Sequence, residues 1–263
     1  FSTIKNEVTS LGNGSEAIFG GSYGGSNITR TVVGEPMAHF YGYKTDGIFK
    51  DKASVDAYNT KYNKNAQIGD VKFVDLNGDN VIDEFDKVRV GNTNPHWTGG
   101  FNSTLSWKGL KLYTRFDFAL GFWIYESGAS QSTTPWHLGC MQGTYNVPDL
   151  YYDTWSEENP NGTYPRFLYA DQLGKNNYQP ASTLFAHKGN YLAIREISLS
   201  YSLPQKWTQA VKMQRAEVSI TGQNLGYITS AKNVFSPETG ANGVVSNGYA
   251  LPKSVLFGVN LTF

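Results

Sequence analysis

Residues 74–88 read "VDLNGDNVIDEFDKV". Asp75, Asn77, Asp79, the Val81 carbonyl, Asp83 and Asp86 fall at positions one, three, five, seven, nine and twelve of a calcium-binding loop. A hard cation needs that spacing because it takes about six to eight oxygens at ~2.3–2.6 Å from one tight turn. Gly78 loosens the turn, Asn80 stands where a left-handed backbone is required, and Ile82 is expected to anchor the loop on a sheet. Calcium in a structural role is the candidate cofactor. Two features depart from the usual pattern. Asp86 is shorter than the customary bidentate Glu, and "VKFV" and "KVRV" flank the loop as strands rather than helices. An Asx-rich turn with no ion accommodates the same residues.

A second constellation lies in "PDLYYDTWSEENPNGTYPRF", residues 148–167. Tyr151, Tyr152 and Trp155 stand beside polar residues, the combination a sugar or peptide surface uses: rings cover apolar patches and polar groups fix orientation. The same rings also serve to staple a long loop. Asp149, Asp153, Glu157 and Glu158 read as a solvated loop rather than paired catalytic carboxylates. His39, His96, His137 and His187 have no metal spacing, and no nucleophile elbow or phosphate-cradling loop appears. No catalytic residue is assigned, and the chain is not expected to be an enzyme. Cys140 is the lone cysteine, so an internal disulfide is impossible.

The elements that must carry these groups are strands. Seventeen Tyr, fifteen Phe, six Trp and 28 Gly against three Met favour strands and turns. Lys plus Arg and Asp plus Glu both total 22, and this balance makes nucleic acid an improbable partner class. No run approaches the ~20 apolar residues of a spanning helix. Period-two alternation is clear in residues 98–107, 110–120, 195–204, 215–225 and 254–263. In "GLKLYTRFDFALG", Leu110, Leu112, Thr114, Phe116, Phe118 and Leu120 oppose Lys111, Tyr113, Arg115, Asp117 and Ala119. "SNITRTVVG" and "MAHFYGY" read as further strands, "FSTIKNEVTSL" as the middle of one, and "LGNGSEAIFGGSYGGSN" as a turn or loop.

Alternation fits either of two solvents. A sandwich strand hides its apolar face against a second sheet, whereas an outer-membrane barrel strand shows that face to lipid and its polar face to a wet lumen. Connection lengths favour the barrel. "WKG" is a minimal turn and "LPQKWTQAVKMQR" a moderate link, while 122–190 and 226–253 are long. Short and long connections alternate, as in barrels with tight turns at one rim and long loops at the other. Trp123 and Tyr125 are expected at an interfacial girdle. The alternative is a soluble, calcium-stabilised β-sandwich that binds glycans.

Five stretches resemble the carboxy-terminal part of SusC/RagA-type TonB-dependent outer-membrane transporters of Bacteroidetes. They are "GEPMAHFYGYKTDGIFK" (34–50), "IGDVKFVDLNGDNVIDEFDKVRVGNTNPHWTGGFNSTLSWKGLKL" (68–112), "YYDTWSEENPNGTYPR" (151–166), "NYLAIREISLSYSLP" (190–204) and "VSITGQNL…LPKSVLFGVNLTF" (218–263). His39 and Asn80 depart from the residues usual at their places. The resemblance implies an all-β fold in which residues 1–263 supply roughly seven or eight antiparallel transmembrane strands, the last third of a barrel of about 22. It also implies a plug and amino-terminal strands outside this chain, and long extracellular loops. Import of oligosaccharides or oligopeptides with a SusD-like lipoprotein, driven through TonB, would follow, with outer-membrane lipid around the wall. Phe263 would end the last strand at the periplasmic side. The start at Phe1 is read as that of a cleaved chain or a separate piece.

Overall fold

The structure is a computed structural model that describes residues 1–23, 26–126, 153–166, 177, 181–231, 234, 236–240, 243–245 and 251–263. In chain order the strands are β1 Ser2–Thr3, β2 Ile18–Tyr23, β3 Ser26–Thr31, β4 His39–Tyr43, β5 Thr45–Ile48, β6 Val71–Phe73, β7 Lys87–Gly91 and β8 Trp97–Trp107. There follow β9 Leu110–Leu120, β10 Trp123–Glu126, β11 Ala186–Lys188, β12 Tyr191–Ser202, β13 Arg215–Thr229, β14 Val244–Val245 and β15 Ser254–Thr262. Among the described residues two α-helices interrupt them, α1 Lys52–Tyr62 and α2 Gln205–Ala210.

The five strongly alternating segments become one antiparallel wall, in order β1-β8-β9-β12-β13-β15. Directly opposed residues of an antiparallel ladder point to the same side, so register decides what each face carries. One row runs Trp107, Leu110, Tyr201, Val218, Val259, and the next Leu105, Leu112, Leu199, Ile220, Phe257. The other face carries Ser106, Lys111, Ser200, Ser219, Gly258 in one row and Thr104, Tyr113, Ser198, Thr221, Leu256 in another. The apolar rows face outward and are bare: Phe257 is 81% exposed, Val259 69%, Trp107 67% and Leu105 64%. The wall is open, with β1 and β15 at its edges.

All the tight connections lie at one end of the wall. Lys108 and Gly109 form a two-residue hairpin with φ of 46° and 89°, the left-handed pair that a close antiparallel turn demands. The link 203–214 holds α2, and Phe263 ends at the same rim, because Arg215 pairs with Thr262. The long connections leave from the opposite end and fold into a cap of three small sheets: β2-β3-β4-β7, β11-β10-β14 and β5-β6.

The buried core sits in that cap. Ile28, Phe40, Tyr125, Tyr164, Ala181, Phe185 and Ala186 form one cluster, and Phe49, Val55 and Tyr58 another under α1. The wall's own buried apolar residues are Ala119, Ala193 and Ala216.

Several expectations change. Residues 18–23 are a strand rather than loop, paired to β3 through Ile18 with Thr31 and Phe19 with Arg30, and Gly21 at φ 61° supplies the kink that made the stretch look like a turn. "FSTIKNEVTSL" contributes only Ser2–Thr3 to a strand. The strands in "SNITRTVVG" and "MAHFYGY" form, yet in the cap sheet and not in the wall. Tyr125 is 2% exposed inside the cap core with Trp123 packed against it, so neither sits in a girdle. Helix α1 stands between β5 and β6, where the sequence patterns mark no element; Asp51 caps it by accepting from Ser54 N at 2.8 Å, and Asn63 ends it in the left-handed conformation.

Candidate functional site

The aspartate loop joins β6 to β7, as its flanking residues predict. Its carboxylates turn inward on the backbone. Asp75 accepts from Gly78 N at 2.7 Å and Asn80 N at 3.2 Å; Asn77 accepts from Asp79 N; Asp79 accepts from Val81 N at 2.8 Å. These are successive Asx turns, and Asn80 at φ 65° takes the left-handed position expected of it. Asp83 caps a short 3-10 turn at Glu84–Asp86 by accepting from Phe85 N at 2.9 Å.

Asp86 differs from the rest. It is wholly buried, and its two oxygens accept from Leu76 N and Asp83 N at 2.8 Å each, so it brackets the two ends of the loop. Two backbone donors thus occupy the carboxylate that would be the twelfth ligand. Lys61 of α1 reaches to 3.6 Å from Asp75. Ile82 packs with Phe49, Val55 and Tyr58 against α1 and so anchors the loop on the helix, not on a sheet. Burial pushes the Tyr58 hydroxyl up to about 12, and the Tyr43 hydroxyl, beside Glu84, to about 12 as well. Among the described residues no three Asp, Glu, His or Cys side chains converge in metal-holding geometry.

Tyr151 and Tyr152 lie outside the described residues. Trp155 is half-buried, its ring over Gly69, where an added Cβ would lie 2.4 Å from the ring. Beside it Asp70 accepts from Arg166 Nε at 2.6 Å, Asn177 Nδ2 at 2.9 Å and Gln67 N at 2.8 Å. Trp155 therefore fastens the 153–166 segment to the β5–β6 unit. Asp153, Glu157 and Glu158 are exposed, as a solvated loop requires.

Residues missed in the sequence stand on the polar face of the wall, near its cap end. β12 bulges between Ile194 and Glu196, and Arg195 there bonds Asp117 of β9 through Nε at 2.8 Å and pairs with Glu238. Tyr227 donates to the same Glu238 at 3.2 Å, and Tyr191 and Tyr227 meet edge-on at 5.8 Å. The available signal was "GQNLG": Asn224 at φ 51° and Gly226 at φ 146° interrupt an alternating strand, the mark of a bulge.

No family model matches the chain. Similar curated proteins are TonB-dependent receptors. P26 of Formosa agariphila is 27% identical over 249 residues, 91% of this chain and 24% of that protein. SusC of Bacteroides thetaiotaomicron is 25% identical over 259 residues, 98% of this chain and 23% of its own length. The chain thus spans about a quarter of the curated relatives it matches. Among solved structures, the RagAB peptide importer in its closed-closed state superposes with a TM-score of 0.69 at 24% identity, over 98% of this chain and 26% of that one. The chain matches a portion of a SusC/RagA-type TonB-dependent receptor, and its antiparallel wall is a segment of that barrel fold.

Proposed function

We propose that this chain forms barrel wall and outer loops of a SusC/RagA-type importer in the outer membrane of a Gram-negative bacterium. The imported nutrient is an oligosaccharide or an oligopeptide, taken up together with a SusD-like lipoprotein. A plug and the remaining strands would complete the barrel, and TonB would act through the plug.

One observation carries the reading: the apolar rows are continuous across five strands and face out of the sheet, while the buried core lies elsewhere. Trp97 and Trp107 share that face at the two ends of β8. Ten steps at about 3.3 Å, tilted by roughly 40°, make ~25 Å, the height of a barrel's apolar band. A water-soluble sandwich would need a second sheet on those rows, and among the described residues none covers them.

The test is the solvent. The whole protein is expected in the outer-membrane fraction and monodisperse only in detergent; a monodisperse species in plain buffer sinks the reading. Uptake of labelled oligosaccharides and oligopeptides by cells with and without the gene then sorts the substrate class.

Calcium on Asp75, Asn77, Asp79, Val81 and Asp83 is part of the same proposal, supported by the Asx register and the left-handed Asn80. Its role would be to pin an outer loop, and weak affinity of ~10⁻⁴–10⁻³ M would suffice outside the cell. A melting temperature that does not move at millimolar calcium assigns the loop to its hydrogen bonds alone.

A further inference from the structure

The bulge in β12 turns the Arg195 guanidinium onto the polar side of the wall, where Asp117 fixes its Nε at 2.8 Å. The wall thereby holds the guanidinium still and leaves its Nη2 edge free to receive a carboxylate. Glu238 fills that edge with one oxygen, and Tyr227 donates to the other at 3.2 Å. This is the arrangement by which proteins hold a free carboxylate: a charge-assisted Arg contact with a hydroxyl alongside. The carboxylate here is a tethered one, carried by the segment 236–240, in which Ser236 Oγ accepts from Glu238 N at 3.1 Å.

The surroundings are those of a site rather than of a simple strut. A cavity of about 280 Å³ opens beside Arg195 and Tyr227, lined also by Asn224 and Lys253. A second of about 170 Å³ lies against Tyr191, Thr93 and Glu238 itself. Thr93 is 2% exposed and its hydroxyl has no hydrogen-bond partner, an uncommon state for a buried polar group. Pro237, next to Glu238, lines both spaces.

We propose that Arg195 and Tyr227 form a receptor for a ligand carboxylate, which Glu238 occupies in the ligand's absence. A ligand carboxylate displaces Glu238, gains the charge of Lys253 at the cavity wall, and frees residues 236–240 from the polar face. The chemistry is that of a peptide carboxylate or of a uronic-acid sugar. The inference rests on the reading that the polar face lines the transport path. A tethered competitor acts at an effective concentration in the millimolar range, so a ligand must out-compete it, and removing it must tighten binding.

The experiment uses the whole protein in detergent, with two pairs of probes. One pair is an oligopeptide with a free carboxy terminus and its amide; the other is a uronic-acid oligosaccharide and its neutral counterpart. Calorimetry gives affinity, and maleimide labelling of Thr239→Cys in a Cys140→Ser background reports release of the segment. At least one acidic probe is expected to bind and to speed labelling. Glu238→Gln should raise its affinity about tenfold, the worth of one hydrogen bond to a charged group, without changing the neutral counterpart. Arg195→Gln should abolish binding; Arg195→Lys, which keeps the charge but not the fork, should weaken it and show that the loss is not misfolding. The acidic probe that responds identifies the source. Equal binding of acidic and neutral forms, or unchanged or weaker binding in Glu238→Gln, overturns the receptor. If that happens while uptake persists, the importer reading stands; detergent-free solubility removes the importer reading instead.

Discussion

The wall and the cap are built from the same strand-rich composition and use it in opposite senses. In the cap, Phe40, Phe49 and Phe185 are at most 1% exposed, clustered with neighbours from distant parts of the chain, as in any water-soluble core. In the wall, Phe257 and Val259 stand bare, while serines, threonines and Lys111 share the other side. Hydrogen bonding holds the wall together and burial holds the cap. The proposed importer accounts for the contrast, since a leucine that faced acyl chains would need no protein partner. The polar cluster at Arg195 sits at the junction of the two regions, on the polar side of the wall.

That contrast can be broken from either side. The largest effect is expected in the cap: Phe185→Ala, at 0% exposure, should cost about 3–5 kcal/mol through lost burial and a residual cavity. Denaturant unfolding of the reconstituted protein, followed by cap tryptophan fluorescence, would measure it. An equally drastic truncation at Phe257 should do far less, because that ring is 81% exposed and leaves no cavity behind. The converse substitution discriminates the solvents. Val259→Arg on the outward face should cost ~2–4 kcal/mol if it lies near the bilayer midplane, falling towards zero near a rim. Folding into lipid vesicles reads this out, and an Arg tolerated there as on any wet surface would break the comparison.

How much was legible follows from the same division. In the wall, period-two alternation is a local property of each strand, so residues 98–107, 110–120 and 254–263 read correctly without knowledge of their neighbours. Asn80 and the strands flanking the aspartate loop were legible for the same reason. The cap depends on contacts across long separations. Helix α1 has a weak apolar face, burying Val55 and Tyr58, and only its pairing with Phe49 and Ile82 makes it worth forming. Gly21 looked like a turn because a kinked strand and a turn ask for the same residue. Trp123 and Tyr125 looked interfacial because an aromatic just past an upward strand fits a rim or a core equally well. Arg195 was hidden because a bulge shifts a side chain between faces without altering composition.

A smaller effect separates two accounts of the aspartate loop. If Asp86 brackets the loop ends, Asp86→Asn keeps one acceptor oxygen and places an amide NH₂ where a second is needed, beside a backbone N–H. The expected loss is about 1–3 kcal/mol, confined to the β6–β7 region and independent of calcium. Hydrogen exchange at Leu76 and Asp83 amides would locate it. A loss that appears only when calcium is present would instead make Asp86 an ion ligand, and would move the loop from a hydrogen-bonded corner to a cation site.

The smallest expected effect is a pH dependence that the cap has and the wall lacks. His39 is fully buried on β4, its Nδ1–H donating to the Pro36 carbonyl at 2.9 Å and its Nε2 without a partner. Burial lowers its pKa below the usual 6.5; Arg30 and Arg89 act in the same direction, while the Pro36 hydrogen bond and Glu35 oppose them. The folded state therefore binds a proton less readily than the unfolded chain. By linkage, the stability from neutral His39 is complete above the unfolded value and declines as pH falls from about 6.5 towards the lowered folded value. Cap unfolding should shift to lower denaturant over that interval, and His39→Gln should flatten the dependence whatever it does to stability at neutral pH. His39 lies on the strand between β3, which bears Arg30, and β7, which bears Arg89, so a proton added there meets two neighbouring positive charges. Wall unfolding, followed by resistance to heat in detergent, should stay level across the same range. A parallel decline in both regions would mean that the cap and the wall unfold as one unit, and that their different solvents do not divide the molecule energetically.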